Sequence, residues 1–141
     1  MIGGITASTK TGSSAASAVD GDMDTAAISS CVRGEDTWLE LDLNGIYVVN
    51  TVTIIQLKES TNEYRFRMDD TEVALTDTTT GVRNVCGYMK IDDRAEQTYD
   101  IDCGGAVGDK LKLTVSSEEG EAYYQEPCIH VNEVQVFGVV A

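Results

Sequence analysis

In Trp38-Leu39-Glu40-Leu41-Asp42-Leu43 every second residue is a leucine, and this alternation constrains the fold more than any other feature of the chain. Successive side chains of an extended strand point to opposite faces, so leucines at period two create one apolar face and one polar face. Such a half-buried strand needs a second layer over its apolar side. Asn44-Gly45 follows at once and is a strong turn signal ahead of Ile46 to Val49. The stretch Thr51-Val52-Thr53-Ile54-Ile55-Gln56-Leu57 is rich in β-branched residues, and shorter runs recur at Glu72–Leu75, Tyr99–Ile101, Leu111–Val115 and Val134–Phe137. Between them lie polar loops such as Asp77-Thr78-Thr79-Thr80-Gly81. No apolar face of helical period and no internal repeat interrupts the series. Many short strands separated by turns predict an all-β, antiparallel sandwich or jelly roll. At 141 residues the chain suits one domain, 1–141, with one core.

Charge narrows the function classes. The formal net charge is −14, and no basic stripe is present to displace counterions from phosphates, which excludes a nucleic-acid partner. The same charge opposes adsorption on an anionic membrane. No apolar run approaches the roughly 20 residues of a membrane helix. Met1-Ile2-Gly3-Gly4 has neither the basic start nor the apolar core of a signal peptide.

Cys31, Cys86, Cys103 and Cys128 are widely spaced and contain no C-x-x-C pair, which disfavours a structural zinc site. Two disulfides in an oxidising, extracellular compartment are the better reading. Three pairings exist in principle. Chain order favours a nested one, in which Cys86–Cys103 closes an inner loop and Cys31–Cys128 joins the ends of the fold. Four buried thiols, acting as small hydrophobes, are the alternative.

Ala18-Val19-Asp20-Gly21-Asp22-Met23-Asp24 is a tight turn crowded with oxygen atoms, and Asn132-Glu133-Val134-Gln135-Val136 places a carboxylate at the start of a late strand. One oxygen cluster early and one late suit a Ca²⁺ ion that ties the two ends together, because hard Ca²⁺ takes 6–8 oxygen ligands. The turn is not an EF-hand loop. Thr25 stands where that loop needs glycine, and Cys31 stands where it needs glutamate. A solvated acidic turn is the plainer alternative.

Taken in order, Ala18–Asp22, Ser30-Cys31, Trp38–Leu43, Val52-Thr53-Ile54, Cys86-Gly87, Cys103 with Gly108, and Asn132–Val136 resemble an F-type lectin (fucolectin-like) domain. That family belongs to the discoidin-like, galactose-binding-domain-like β-sandwiches. The resemblance covers nearly the whole chain. It implies an eight-stranded jelly roll, a structural calcium ion and binding of terminal fucose. It implies, too, that Asp20 and Glu133 supply carboxylate oxygens, that Ser17, Asp22 and Asn132 supply carbonyls, and that Ser30 supplies carbonyl and hydroxyl.

The sugar motif of that family is present only in altered form. Its histidine is replaced by Arg33, two residues after Cys31, and the only histidine of the chain, His130, does not match. Leu57-Lys58 takes the place of the first arginine, and Arg67 that of the second, with Arg65 nearby. The adjacent cysteine pair of the family is absent, and Glu59-Ser60-Thr61-Asn62 stands there. Arg33, Lys58 and Arg67 are therefore the candidate carbohydrate-binding residues, on glycans or glycoproteins, with an altered specificity. A protein-recognition or matrix module that has lost sugar binding is the second expectation, with Tyr123-Tyr124 as its candidate anchor. Homo-oligomerisation, which would raise avidity, stays open. With no G-x-S-x-G, no H-E-x-x-H and a single imidazole, the chain is not expected to be an enzyme.

Overall fold

The computed structural model describes residues 1–10, 14–29, 34–56, 68–91, 98–116 and 128–141. Within them lie eight strands: β1 (Thr6–Thr9), β2 (Ala27–Ser29), β3 (Thr37–Ile55), β4 (Thr71–Asp77), β5 (Val82–Met89), β6 (Thr98–Val115), β7 (Ile129–Val131) and β8 (Glu133–Val140). A short 3-10 turn over Ala15–Ala18 is the sole helical element among the described residues. Every pairing is antiparallel.

The hydrogen-bonded order is β1-β3-β6-β4-β5, with β8 on the same edge of β3 as β1 but along its second half, and β2-β7 as a separate pair. Two strands dominate this ladder, β3 with 19 residues and β6 with 18. Drawn out straight they would reach roughly 60 Å, against a radius of gyration of about 14 Å for a domain of this size. They therefore bend together. Asn44 sits at φ 57° and Gly45 at φ 159° on β3, while Gly104 and Gly105 have φ 60° and 82° on β6. The register between the two strands shifts between Asp42 and Tyr47.

This corrects the sequence reading of Asn44-Gly45 as a turn between two strands. Pairing with β6 continues on both sides of it, Asp42 with Lys110 before and Tyr47 with Gly108 after, while Gly104 and Gly105 of β6 face a second register shift, between Val49 and Thr51. The runs at Tyr99–Ile101 and Leu111–Val115 likewise belong to one strand. The folded-over ladder makes the two layers of the sandwich. One layer is β1 with the first half of β3, the second half of β6, β4 and β5. The other is the first half of β6 with the second half of β3 and β8.

The layers meet over Leu39, Leu41 and Leu43 from one half of β3 and Val52 and Ile54 from the other, with Leu75, Leu111, Leu113 and Val136, all fully buried. The alternation Thr37 to Leu43 is realised, odd residues inward and even residues outward. A disulfide joins Cys86 of β5 to Cys103 of β6 across the layers, as the inner pair of the nested arrangement. Cys128 is also disulfide-bonded, and Cys31 lies outside the described residues. All-β antiparallel architecture is what the alternation required.

Candidate functional site

The acidic turn and the late glutamate come together. After the 3-10 turn ends at Ala18, Gly21 adopts φ +75°, a left-handed conformation that glycine takes without strain. Its backbone N–H donates to Glu133 Oε2 at 2.9 Å across 112 residues of sequence. The turn is braced from within. Asp20 accepts from the Asp22 N–H at 2.9 Å and from the Thr25 hydroxyl at 2.6 Å, and Asp22 accepts from the Asp24 N–H at 2.9 Å. These are the local side chain-to-backbone closures that favour Asp in turns. Asn132 clamps the turn from the β7–β8 junction, its Nδ2 donating to the carbonyls of Met23 (3.1 Å) and Thr25 (3.3 Å).

Glu133 is the unusual member. It is only 4% exposed, and its Oε1 has no hydrogen-bond partner. Burial raises its pKa, the Gly21 N–H opposes that shift, and the negative charges of Asp20 and Asp22 raise it further. Asp20 is moved the other way, chiefly by the Thr25 hydroxyl and then by the Asp22 N–H. A buried carboxylate oxygen with nothing to accept from is costly unless a cation or donor reaches it. The residues present fit a hard cation.

Among the described residues no three Asp, Glu, His or Cys side chains are grouped to hold an ion. Any cation here would thus draw much of its coordination from carbonyl oxygens, as Ca²⁺ readily does. Asp22 and Asn132 are bonded into the acidic turn, Ser17 lies in the 3-10 turn that precedes it, and Ser30 lies outside the described residues. Beside it is a cavity of about 210 Å³, lined by Ile2, Gly4, Val19, Asp20, Glu133 and Val134 among others.

The candidate sugar residues Arg33, Lys58 and Arg67, with Arg65, lie outside the described residues, as does Tyr123-Tyr124. The strand ends that flank segments 30–33, 57–67, 92–97 and 117–127 are tied to one another. Thr37 pairs with Val115, Ile55 with Thr98, and Ser29 with Ile129. The Ile91 N–H donates to Asp69 at 2.8 Å, and the Ser29 and Thr37 hydroxyls lie 2.6 Å apart. All these flanks belong to one end of the sandwich.

Beneath that end sits a knot that sequence reasoning missed. Gln56 is fully buried, and its Nε2 donates to the His130 carbonyl at 3.0 Å and to Met68 Sδ at 3.1 Å. Its Oε1 has no partner. His130 is 9% exposed. A glutamine at the close of a β-branched run was the available signal, but a polar residue there also reads as the start of a loop.

Strand order and bend define an antiparallel β-sandwich of the galactose-binding-domain-like fold. More particularly, the chain is similar to the lectin domain of lectinolysin, solved with Lewis B antigen, at 16% identity and a TM-score of 0.75, over 95% of this chain and 92% of that one. It is similar to the family 32 carbohydrate-binding module of C. perfringens NanJ, solved with galactose, at 16% identity and TM-score 0.72, over 94% and 92%. A fucolectin from striped bass (Morone saxatilis) serum matches at 19% identity and TM-score 0.69, over 96% of this chain and 46% of that one. At these identities the likeness is one of fold. No family model matches the sequence, and no curated protein matches it.

Proposed function

We propose that this chain is a secreted, non-catalytic lectin-like module that binds glycans at the end of the sandwich where segments 30–33, 57–67, 92–97 and 117–127 attach. The observation that carries this reading is the fold, held in common over more than nine-tenths of the chain with domains solved with Lewis B antigen and with galactose. Such folds host many functions, so the residues must supply the rest. Arg33, Lys58 and Arg67 would donate hydrogen bonds to sugar hydroxyl and ring oxygens. Arginine in place of the family's histidine supports a terminal sugar other than plain fucose.

Structural Ca²⁺ belongs to the proposal. Asp20 and Glu133 would hold it, with carbonyls of Ser17, Asp22 and Asn132 and with Ser30. The unpartnered, buried Glu133 Oε1 supports this reading. When bound, the ion would neutralise a concentration of carboxylates and keep the chain's two ends together; the sugar contacts would remain those of the protein's side chains.

The test is a glycan array of the oxidised protein in millimolar calcium, with a chelated sample in parallel. Binding to structures that share a terminal sugar, competed by that free sugar and lost in Arg67→Ala, is the expected result. A blank array from folded, calcium-loaded protein would overturn it. Replacement of the histidine by Arg33 and absence of the family's cysteine pair favour a second reading, a module that recognises protein instead. Saturable binding to a protein partner that ignores free sugars would select it.

A further inference from the structure

The outward face of the layer β1-β3-β6-β4-β5 carries an ordered charge pattern. Pairing registers place its residues in three rows across the strands. One row is Thr6, Asp42, Lys110, Thr76 and Arg83; the next is Ser8, Glu40, Lys112, Ala74 and Val85. The third is Trp38, Thr114, Glu72 and Tyr88, with Lys10, one residue past β1, bonded through its N–H to the Trp38 carbonyl. On this face Lys10, Arg83, Lys110 and Lys112 stand against Glu40, Asp42 and Glu72, in a chain whose net charge is −14. The excess acid therefore lies elsewhere. Two copies approaching through other surfaces bring like charges together, whereas this face does not.

The columns have opposite signs. β3 presents Glu40 and Asp42, and its neighbour β6 presents Lys110 and Lys112. A two-fold axis lying in the face, along the strands and between β3 and β6, lays β6 of one copy over β3 of the other and β4 over β1. Asp42, which already holds Lys110 of its own copy at 2.7 Å, then also faces Lys110 of the second copy, Glu40 faces Lys112, and Lys10, beside Glu35 of its own copy, faces Glu72, whose own-copy partner is Arg83. The uncharged Thr6 meets Thr76, and Ser8 lies over the buried Ala74. An axis lying across the strands would instead lay each column on itself, acid on acid. The pattern thus selects one of the two isologous arrangements.

We propose that two copies of this chain pair face to face through this surface, about a two-fold axis parallel to the strands. Because that axis preserves strand direction, the same ends of both sandwiches point the same way. On the glycan reading above, the dimer is a bivalent binder presenting both sites to one surface. The complementary area, four strands by about five residues, spans roughly 19 by 17 Å. That is short of the ~800 Å² per partner of a stable complex, so the pair is weak and concentration-dependent.

Trp38 is the only tryptophan and lies half-buried in the patch under Lys112 Nζ, 4.9 Å from its ring centroid. Its emission is a local reporter. Sedimentation equilibrium at 0.15 M salt, where the Debye length is about 8 Å, is expected to show the mass rising toward twice that of one chain with concentration. Trp38 emission should shift in parallel. Lys110→Glu/Lys112→Glu and Glu40→Lys/Asp42→Lys, each checked by circular dichroism, should both weaken self-association roughly tenfold or more, and mixing the two should restore it. The second variant is decisive, because it is less acidic overall. If general charge repulsion governs, it associates more strongly than the native chain. Monomeric native protein at the highest soluble concentration, or stronger association of that variant, overturns the proposal.

Discussion

The backbone N–H of Gly21 donates to Glu133 Oε2 at 2.9 Å, joining residues 112 apart in sequence. That single bond fixes one carboxylate oxygen of Glu133 and leaves Oε1 buried without a partner. The early acidic turn and the last strand are thereby one structural unit.

Calcium should stabilise this unit. In chelator the protein should melt at a lower temperature than in excess calcium, since a ligand at 100 times its Kd adds about 2.7 kcal/mol. Glu133→Gln removes the charge that burial disfavours, so its chelated form should melt no lower than the native chain. Its calcium-dependent rise should disappear. Differential scanning calorimetry with and without calcium checks both, and an undiminished calcium response in Glu133→Gln would exclude this carboxylate from the site.

Gly138 packs where β8 crosses the bend of β3. A Cβ there would lie 2.2 Å from the Val48 carbonyl oxygen, a backbone atom that cannot step aside alone. Gly138→Ala should cost about 1–3 kcal/mol or more, as overpacking does. Gly3, with nothing within 4 Å of its Cβ position, is the control and should tolerate alanine. Urea unfolding of the two variants gives the comparison.

The Cys86–Cys103 bond joins β5 to the opposite layer across a sequence separation of 17. Replacing both residues by alanine should cost about 2–4 kcal/mol, mostly by releasing the unfolded chain. Guanidinium unfolding should show the loss with strand content retained in the far-ultraviolet spectrum.

Lys110 Nζ lies 2.7 Å from Asp42 Oδ2. Its hydrogen bond lowers the Asp42 pKa below the ordinary value of 3.8, helped by the Asn44 N–H, and raises the Lys110 pKa above the ordinary 10.5. A depressed carboxylate pKa adds stability above the unfolded value that is lost as pH falls through the folded one. A raised lysine pKa adds stability below the unfolded value that is lost as pH rises through the folded one. The stability difference between the native chain and Asp42→Asn should therefore be level at neutral pH and shrink below pH 3.8, and again above 10.5. Both groups are partly exposed, so the effect is small. Denaturant titrations across pH measure it.

Legibility followed the range of the interactions. Thr37 to Leu43 announce their inward and outward faces locally, because period two is a property of the extended backbone itself. β5 escaped notice: Val82, Arg83, Asn84 and Val85 are all exposed, so its sequence carries no burial pattern, and only pairing with β4 makes it a strand. The oxygen-rich turn and Glu133 were readable, and the sequence reading already brought them together. That Glu133 keeps one oxygen unsatisfied depends on packing around it, as does the Gln56–Met68–His130 knot.

By itself the sequence determined the all-β class, the polar and apolar faces of its clearest strands and the strong net acidity, since each follows from side-chain chemistry at short range. Tertiary structure alone decided that residues 37 to 55 form one bent strand, because β6, some sixty residues away, pairs with it both before and after Asn44-Gly45. It also decided which charges share a face. Register between strands distant in sequence places Lys110 beside Asp42, and no local pattern encodes that alignment.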